Sequence, residues 1–187
     1  LREAHAVGLI HRDIKPSNVM ICERGGLYDV AKLLDFGLVL APDVGQADER
    51  LTQEGAIPGT PAYMSPEQAS GREDLDGRSD LYSVGCLAYF LLTGQPPFAG
   101  RSPARVLAAH MYEPPAPLTG LRCDVTEELQ ALVLRCLTKD PVGRFPDAHS
   151  LESALSGCPT PGRWTEEEAA CWWRLNRVRT MGSYTEG

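Results

Sequence analysis

Between Ser79 and Thr93 the chain is apolar almost all round (Leu81, Val84, Leu87, Ala88, Phe90, Leu91, Leu92), and the run stops at Gly94 with Pro96 and Pro97 behind it. A helix of that pattern must be buried on most faces, and a glycine followed by prolines ends it sharply. The rest of the chain therefore has to supply elements that wrap it. Pro103 to Met111, Thr126 to Leu137 with Glu127 and Glu128 in its first turn, and Asp147 to Leu155 all read as helices. The expected fold is mainly α, a helical bundle around a buried central helix.

Two short β-type runs, Val19 to Cys22 and Val30 to Leu34, flank a polar stretch holding Gly25 and Gly26 and read as a hairpin. Before them, Leu1, Ala4, His5, Gly8 and Leu9 have the spacing of a helix end, so the chain is expected to be cut from a longer one. Leu38 to Pro58 is polar, without periodicity and punctuated by Gly and Pro, the pattern of a long loop, which at that length is functional or disordered. Gly157, Pro159, Pro161 and Gly162 mark a linker, dividing a unit over 1–155 from a segment over 156–187. In that segment Thr165-Glu166-Glu167-Glu168 is a capping box, which predicts a short amphipathic helix carrying Trp172, Trp173, Leu175 and Val178. Adjacent exposed tryptophans are a liability, so docking against the preceding unit is expected over a free recognition helix.

Composition narrows the function classes. A net charge of −7 without a basic run gives no footprint for nucleic acid or an anionic membrane surface. No apolar run approaches the ~20 residues of a membrane span. Cys22, Cys86, Cys123, Cys136, Cys158 and Cys171 form no C-x-x-C pair and read as free thiols of a reducing, cytoplasmic setting, although a longer parent could be anchored elsewhere.

The chemistry is concentrated in His11-Arg12-Asp13-Ile14-Lys15-Pro16-Ser17-Asn18 and, across the hairpin, Asp35-Phe36-Gly37. Either tripeptide alone is weak, but the eight-residue loop followed by the second motif across two strands is specific. Together they resemble the catalytic loop and metal-binding triplet of protein kinases. Phosphoryl transfer needs a positioned hydroxyl, a positioned cation and positive charge on the transferring oxygens. The resemblance implies Asp13 as the base for the substrate hydroxyl, Asn18 and Asp35 as oxygen ligands of Mg²⁺, and Lys15 on the γ-phosphate of ATP. Lys15 follows Asp13 by two, as in the serine/threonine branch. Met20, with Leu87 and Leu91, would lie on the adenine side, and His11 and Phe36 would stack into a spine anchored at Asp80.

The likeness continues. Gly59-Thr60-Pro61-Ala62-Tyr63-Met64-Ser65-Pro66-Glu67 is similar to the end of a kinase activation segment, with Ser65 where Ala is usual. It implies that Thr60 sits near Asp13 and Lys15, and that Glu67 forms a buried ion pair with Arg144. Asp80 would accept backbone amides of the catalytic loop. Arg12 beside the base goes with control by loop phosphorylation, and Thr52 is the only hydroxyl side chain between Gly37 and Thr60, so Thr52 is the expected phosphosite.

The resemblance therefore implies the carboxy-terminal lobe (C-lobe) of a serine/threonine protein kinase, with the hairpin at the catalytic cleft and the N-lobe absent. No G-x-G-x-x-G occurs, and Lys32, though in a Val-Ala-Lys context, belongs to the strand leading to Asp35 and should face solvent. The implied partners are a protein substrate and the missing N-lobe, and the lobe alone should turn over negligibly. Two competing readings are a pseudokinase scaffold, against which the intact Asp13, Lys15, Asn18 and Asp35 speak, and a small-molecule kinase, which would lack the Gly59 to Glu67 segment.

Overall fold

The computed structural model describes residues 1–35, 60–122, 124–159, 162 and 164–181, the last five as backbone only. The chain runs through α1 (Arg2–Ala6), an antiparallel hairpin of β1 (Val19–Arg24) and β2 (Leu27–Leu33), α2 (Pro66–Ala69), α3 (Gly77–Thr93), α4 (Pro103–Tyr112), α5 (Glu127–Cys136), α6 (Ala148–Ser156) and α7 (Glu166–Met181). Helices dominate, and the sheet among the described residues is the single two-stranded hairpin.

α3 is the central helix. Asp76 caps its first turn by accepting from the Arg78 amide at 2.8 Å, and Gly94 closes it in the left-handed conformation at φ 78. It starts two residues earlier than its apolar pattern suggests, because the cap and not the first apolar residue sets the boundary. One face packs Tyr82, Cys86 and Tyr89 against Leu118, Val125, Val133 and Leu137, while Leu81 packs in a second cluster against Cys136, Phe145 and Leu151. Each Leu, Val or Phe among them contributes ~1.5–3 kcal/mol when fully buried. Gly85 lets α5 come close, since a Cβ there would lie 2.7 Å from that of Cys136. The helix is buried on most faces, as expected, and its uncovered face shows in the last turn, where Leu91 is 71% exposed because the neighbouring helices do not reach it.

A polar seam runs beside this core. Tyr82 Oη and His110 Nδ1 are 2.9 Å apart, and Lys139 Nζ donates to Tyr82 Oη and to the Ala109 carbonyl. Burial, with Lys139 nearby, lowers the His110 pKa to about 4. Burial likewise pushes Cys136 up to about 12 and Cys86 higher still, so both core thiols are inert. The described cysteines are free.

Local chemistry sets the other boundaries. Thr126 and Asp147 accept from Leu129 and Ser150 amides at the starts of α5 and α6. Gly25 and Gly26, both at positive φ, make the two-residue hairpin turn that matches strand twist. The strands extend closer to that turn than their β-type runs do, and Lys32 is exposed as expected.

The C-terminal helix is longer than expected, 16 residues. Its capping box is in place: the Glu168 amide donates to Thr165 Oγ1 at 3.2 Å, and the Thr165 amide donates to Glu168 Oε2 at 2.8 Å. It docks on the hairpin, where the indoles of Trp164 and Trp173 donate to Asp29.

Candidate active site

The segment His11 to Asn18 has little regular structure of its own and is held by side chains of the bundle. Asp80, fully buried in the first turn of α3, accepts from the His11 amide at 2.8 Å, the Arg12 amide at 2.9 Å and His5 Nε2 at 2.8 Å. Gly77 makes the third contact feasible, since a Cβ there would sit 2.6 Å from the His5 ring. Arg12 lies at φ 67, a left-handed conformation that costs a non-glycine residue ~1–2 kcal/mol. That strain persists because both ends of the residue are fastened: its amide to Asp80, its carbonyl to Gln68 Nε2 at 2.8 Å. Ile14, 2% exposed, plugs the loop into the core.

Asp13 is the centre of the resulting cluster. Asn18 Nδ2 donates to the Asp13 carbonyl at 2.8 Å and to Asp13 Oδ2 at 3.0 Å, Lys15 Nζ lies 2.7 Å from the same oxygen, and Lys15 also donates to Thr60 Oγ1 at 3.1 Å. With its NH₂ group committed to Asp13, Asn18 keeps its amide oxygen as an acceptor. Thr60 is brought in by the 3₁₀ turn Pro61–Tyr63, whose Tyr63 carbonyl accepts from Ser83 Oγ of α3 at 2.8 Å.

Asp35 is tied to this cluster through its neighbour. The Leu34 amide donates to the Asn18 carbonyl at 2.8 Å, and the Leu34 carbonyl pairs with His11 Nε2 at 2.8 Å. His11 Nδ1 accepts from the Asp13 amide at 3.3 Å, which puts the ring proton on Nε2 and makes that nitrogen the donor to Leu34. One imidazole thus spans the His11 to Asn18 segment and the peptide before Asp35. Asp35 itself is exposed and sits at φ 55, another left-handed non-glycine position.

Glu67 and Arg144 meet as a buried bidentate pair at 2.7 and 2.8 Å, with Ser79 Oγ donating to Glu67 at 2.7 Å. Burial pushes the Glu67 carboxyl up, but the bonds from Arg144 and Ser79 outweigh it, and the net position is below the ordinary carboxylate range. The remaining Arg144 donors go to the carbonyls of Arg78, Thr138 and Lys139. Met20, on β1, is 48% exposed. Phe36, Gly37 and Thr52 lie outside the described residues.

Three supports were missed from sequence: His5 on Asp80, Gln68 on Arg12, and Ser79 on Glu67. The second was within reach, since Ser65-x-x-Gln68 has capping-box spacing and both of its reciprocal bonds form. The other two join segments through side chains with no local signature. Among the described residues no three His, Cys, Asp or Glu side chains gather as a metal cage. A cavity of about 350 Å³ bordered by Tyr89, Phe98, Arg101 and Arg122 shares no residue with the Asp13 cluster.

The family description "Protein kinase domain" matches residues 1–155. Over 158 residues the chain is 43% identical to the Probable serine/threonine-protein kinase SCO3848 of Streptomyces coelicolor, covering 84% of this chain and 22% of that protein. It is 44% identical over 156 residues to the serine/threonine-protein kinase PknB of Mycolicibacterium smegmatis, covering 83% and 24%. To the serine/threonine-protein kinase Pkn1 of Myxococcus xanthus it is 41% identical over 155 residues, covering 83% and 22%. The chain thus spans about a quarter of the length of these relatives.

Proposed function

The chain belongs to the protein kinase domain family, and on that premise we propose that it is the C-lobe of a serine/threonine protein kinase, transferring the γ-phosphoryl group of ATP to Ser or Thr hydroxyls of a protein substrate. The observation that carries the reading is the cluster of Asp13, Lys15, Asn18 and Thr60, fastened through Leu34 to the residue before Asp35.

Each side chain then has a task. Asp13 orients the acceptor hydroxyl and takes its proton. Lys15 shifts its ammonium from Asp13 toward the incoming phosphoryl oxygens, with Thr60 as its second anchor. The Asn18 amide oxygen and the Asp35 carboxylate are hard oxygen donors of the kind Mg²⁺ takes, and two protein oxygens suffice where phosphate and water complete the shell. The bound Mg²⁺·ATP supplies the transferable group and neutralises charge on its oxygens. Met20 borders the adenine. His11, Arg12, Asp80, Glu67 and Arg144 hold the loops, with Phe36 and Gly37 completing the metal-binding triplet. Thr52 is the activating phosphosite, its phosphate received by Arg12. A second lobe, the N-lobe, provides the Gly-rich loop and strand lysine, and ATP as donor places the reaction in the cytoplasm. No helix among the described residues is long and apolar enough to cross a membrane.

The test uses the full-length gene product and its Asp13→Asn and Asp35→Asn variants, assayed for phosphate transfer to a generic protein substrate. Each change is expected to lower turnover by at least ~10²-fold, the scale of a lost general base or charge-stabilising group. Activity that survives both substitutions overturns the mechanism. Phosphopeptide mapping of the same wild-type protein should find phosphate on Thr52, and a bare Thr52 in an active enzyme removes that assignment.

A further inference from the structure

α7 lies beyond the 155 residues matched to the kinase domain, so its docking on the hairpin needs an explanation of its own. The contact is specific. Trp164 Nε1 donates to Asp29 Oδ2 at 2.7 Å and Trp173 Nε1 donates to Asp29 Oδ1 at 2.7 Å, one indole for each carboxylate oxygen. An indole only donates and an ionised carboxylate only accepts, so the match is one-way and complete. The two indoles hold the Asp29 carboxyl below its ordinary pKa.

Asp29 is also where the hairpin is irregular. The register shifts between Cys22 and Arg24, opposite the stretch Leu27 to Val30, and within that stretch Asp29 stands at φ 57. A bulge of this kind re-aims a side chain, and aspartate tolerates the left-handed region better than most residues. Here the bulge delivers Asp29 to α7. The capping box at Thr165 starts the helix directly after Trp164, and Ala169, 3% exposed, is buried on its first turns. The rings of Trp172 and Trp173 meet edge-on at 5.4 Å, bracing the second donor.

The position matters because β1 begins directly after Asn18 and β2 ends two residues before Asp35. An isolated two-stranded hairpin is marginally stable. We infer that Asp29, Trp164 and Trp173 are positioning residues: the C-terminal segment is a strap that fixes the hairpin and thereby the separation of Asn18 and Asp35, coupling its own docking to Mg²⁺·nucleotide binding. This rests on the reading of Asn18 and Asp35 as metal ligands. By linkage the coupling is reciprocal, so nucleotide with Mg²⁺ tightens the strap as the strap tightens their binding.

The test compares wild type with Trp164→Phe/Trp173→Phe, which keeps an aromatic ring at each position and removes both donors, and with Asp29→Asn as an independent second variant. Amide hydrogen exchange on the chain is expected to speed up by about tenfold in β1, β2 and at Leu34, the scale of losing hydrogen bonds to a charged acceptor, while α3 amides keep wild-type protection. Calorimetry of Mg²⁺·ADP binding to the full-length protein is expected to show weaker affinity, by about threefold or more, in both variants. Unchanged hairpin exchange, acceleration spread equally through α3, or unaltered Mg²⁺·ADP affinity with a loosened hairpin each overturns the inference. These readouts do not require phosphoryl transfer: a protein that binds Mg²⁺·ADP but transfers no phosphate refutes the proposed activity and leaves the strap standing.

Discussion

Replacing Arg144 with methionine should be among the most damaging single changes in the chain, and the structure says by how much. Arg144 is 1% exposed and places all its donors: two on Glu67, and one each on the carbonyls of Arg78, Thr138 and Lys139. Methionine retains much of the volume but none of the donors, leaving Glu67, 6% exposed, with Ser79 as its remaining side-chain donor. Breaking a buried pair from one side costs ~3–5 kcal/mol, which is a large fraction of the ~5–15 kcal/mol that holds a domain together. For a chain of 187 residues the midpoint of thermal unfolding should fall by roughly 10 °C. The paired variant Glu67→Met/Arg144→Met should recover part of that loss, because no lone charge is then buried, though the three carbonyls still lack their donor.

The pH dependence supplies an independent sign. In wild type the folded pKa of Glu67 lies below its unfolded value, so its contribution is present above about pH 4.5 and is lost as pH falls through the folded pKa. Without Arg144 burial dominates and the folded pKa rises, so the Glu67 contribution should instead decline as pH increases through the carboxylate range. Urea and thermal unfolding between pH 3 and 7 measure both. A loss under ~1 kcal/mol for Arg144→Met, with unchanged pH slope, would mean that the pair is solvated like a surface bridge and that the reasoning is wrong.

Gly85→Ala should destabilise by ~1–3 kcal/mol, read as a lower urea midpoint, because its Cβ meets that of Cys136 at 2.7 Å; a neutral result would mean that α3 and α5 separate without cost. His110→Gln should flatten the acid limb of stability: the folded pKa of about 4 lies below the unfolded 6.5, so wild type loses up to ~3 kcal/mol as pH drops through that window, and identical slopes for the two proteins would refute it.

What could be read from sequence is what local chemistry decides. The caps at Thr126, Asp147 and Thr165, the Gly94 terminus and the Gly25-Gly26 turn are written in neighbouring residues, and each stands where its pattern puts it. The pairing of Asp13 with Lys15 and Asn18 is equally local. Long-range partners are another matter. Asp29 lies 135 and 144 positions from the indoles from which it accepts, and an aspartate in a strand names no such distant partner. Nor does the apolar stretch of α3 reveal that Leu91 escapes the bundle, since coverage depends on where α5 and the segment after α4 run.

The three contacts made by Asp80 span 68, 69 and 75 positions. During synthesis the amino-terminal end of this chain leaves the ribosome long before α3 does, and until α3 emerges nothing occupies the place of that carboxylate. At the ~5–20 residues per second of translation, Asp13 spends several seconds on a segment that cannot hold its left-handed turn at Arg12. A nascent or truncated chain ending before Asp80 therefore displays the whole motif without the anchor that fixes His11 and Arg12.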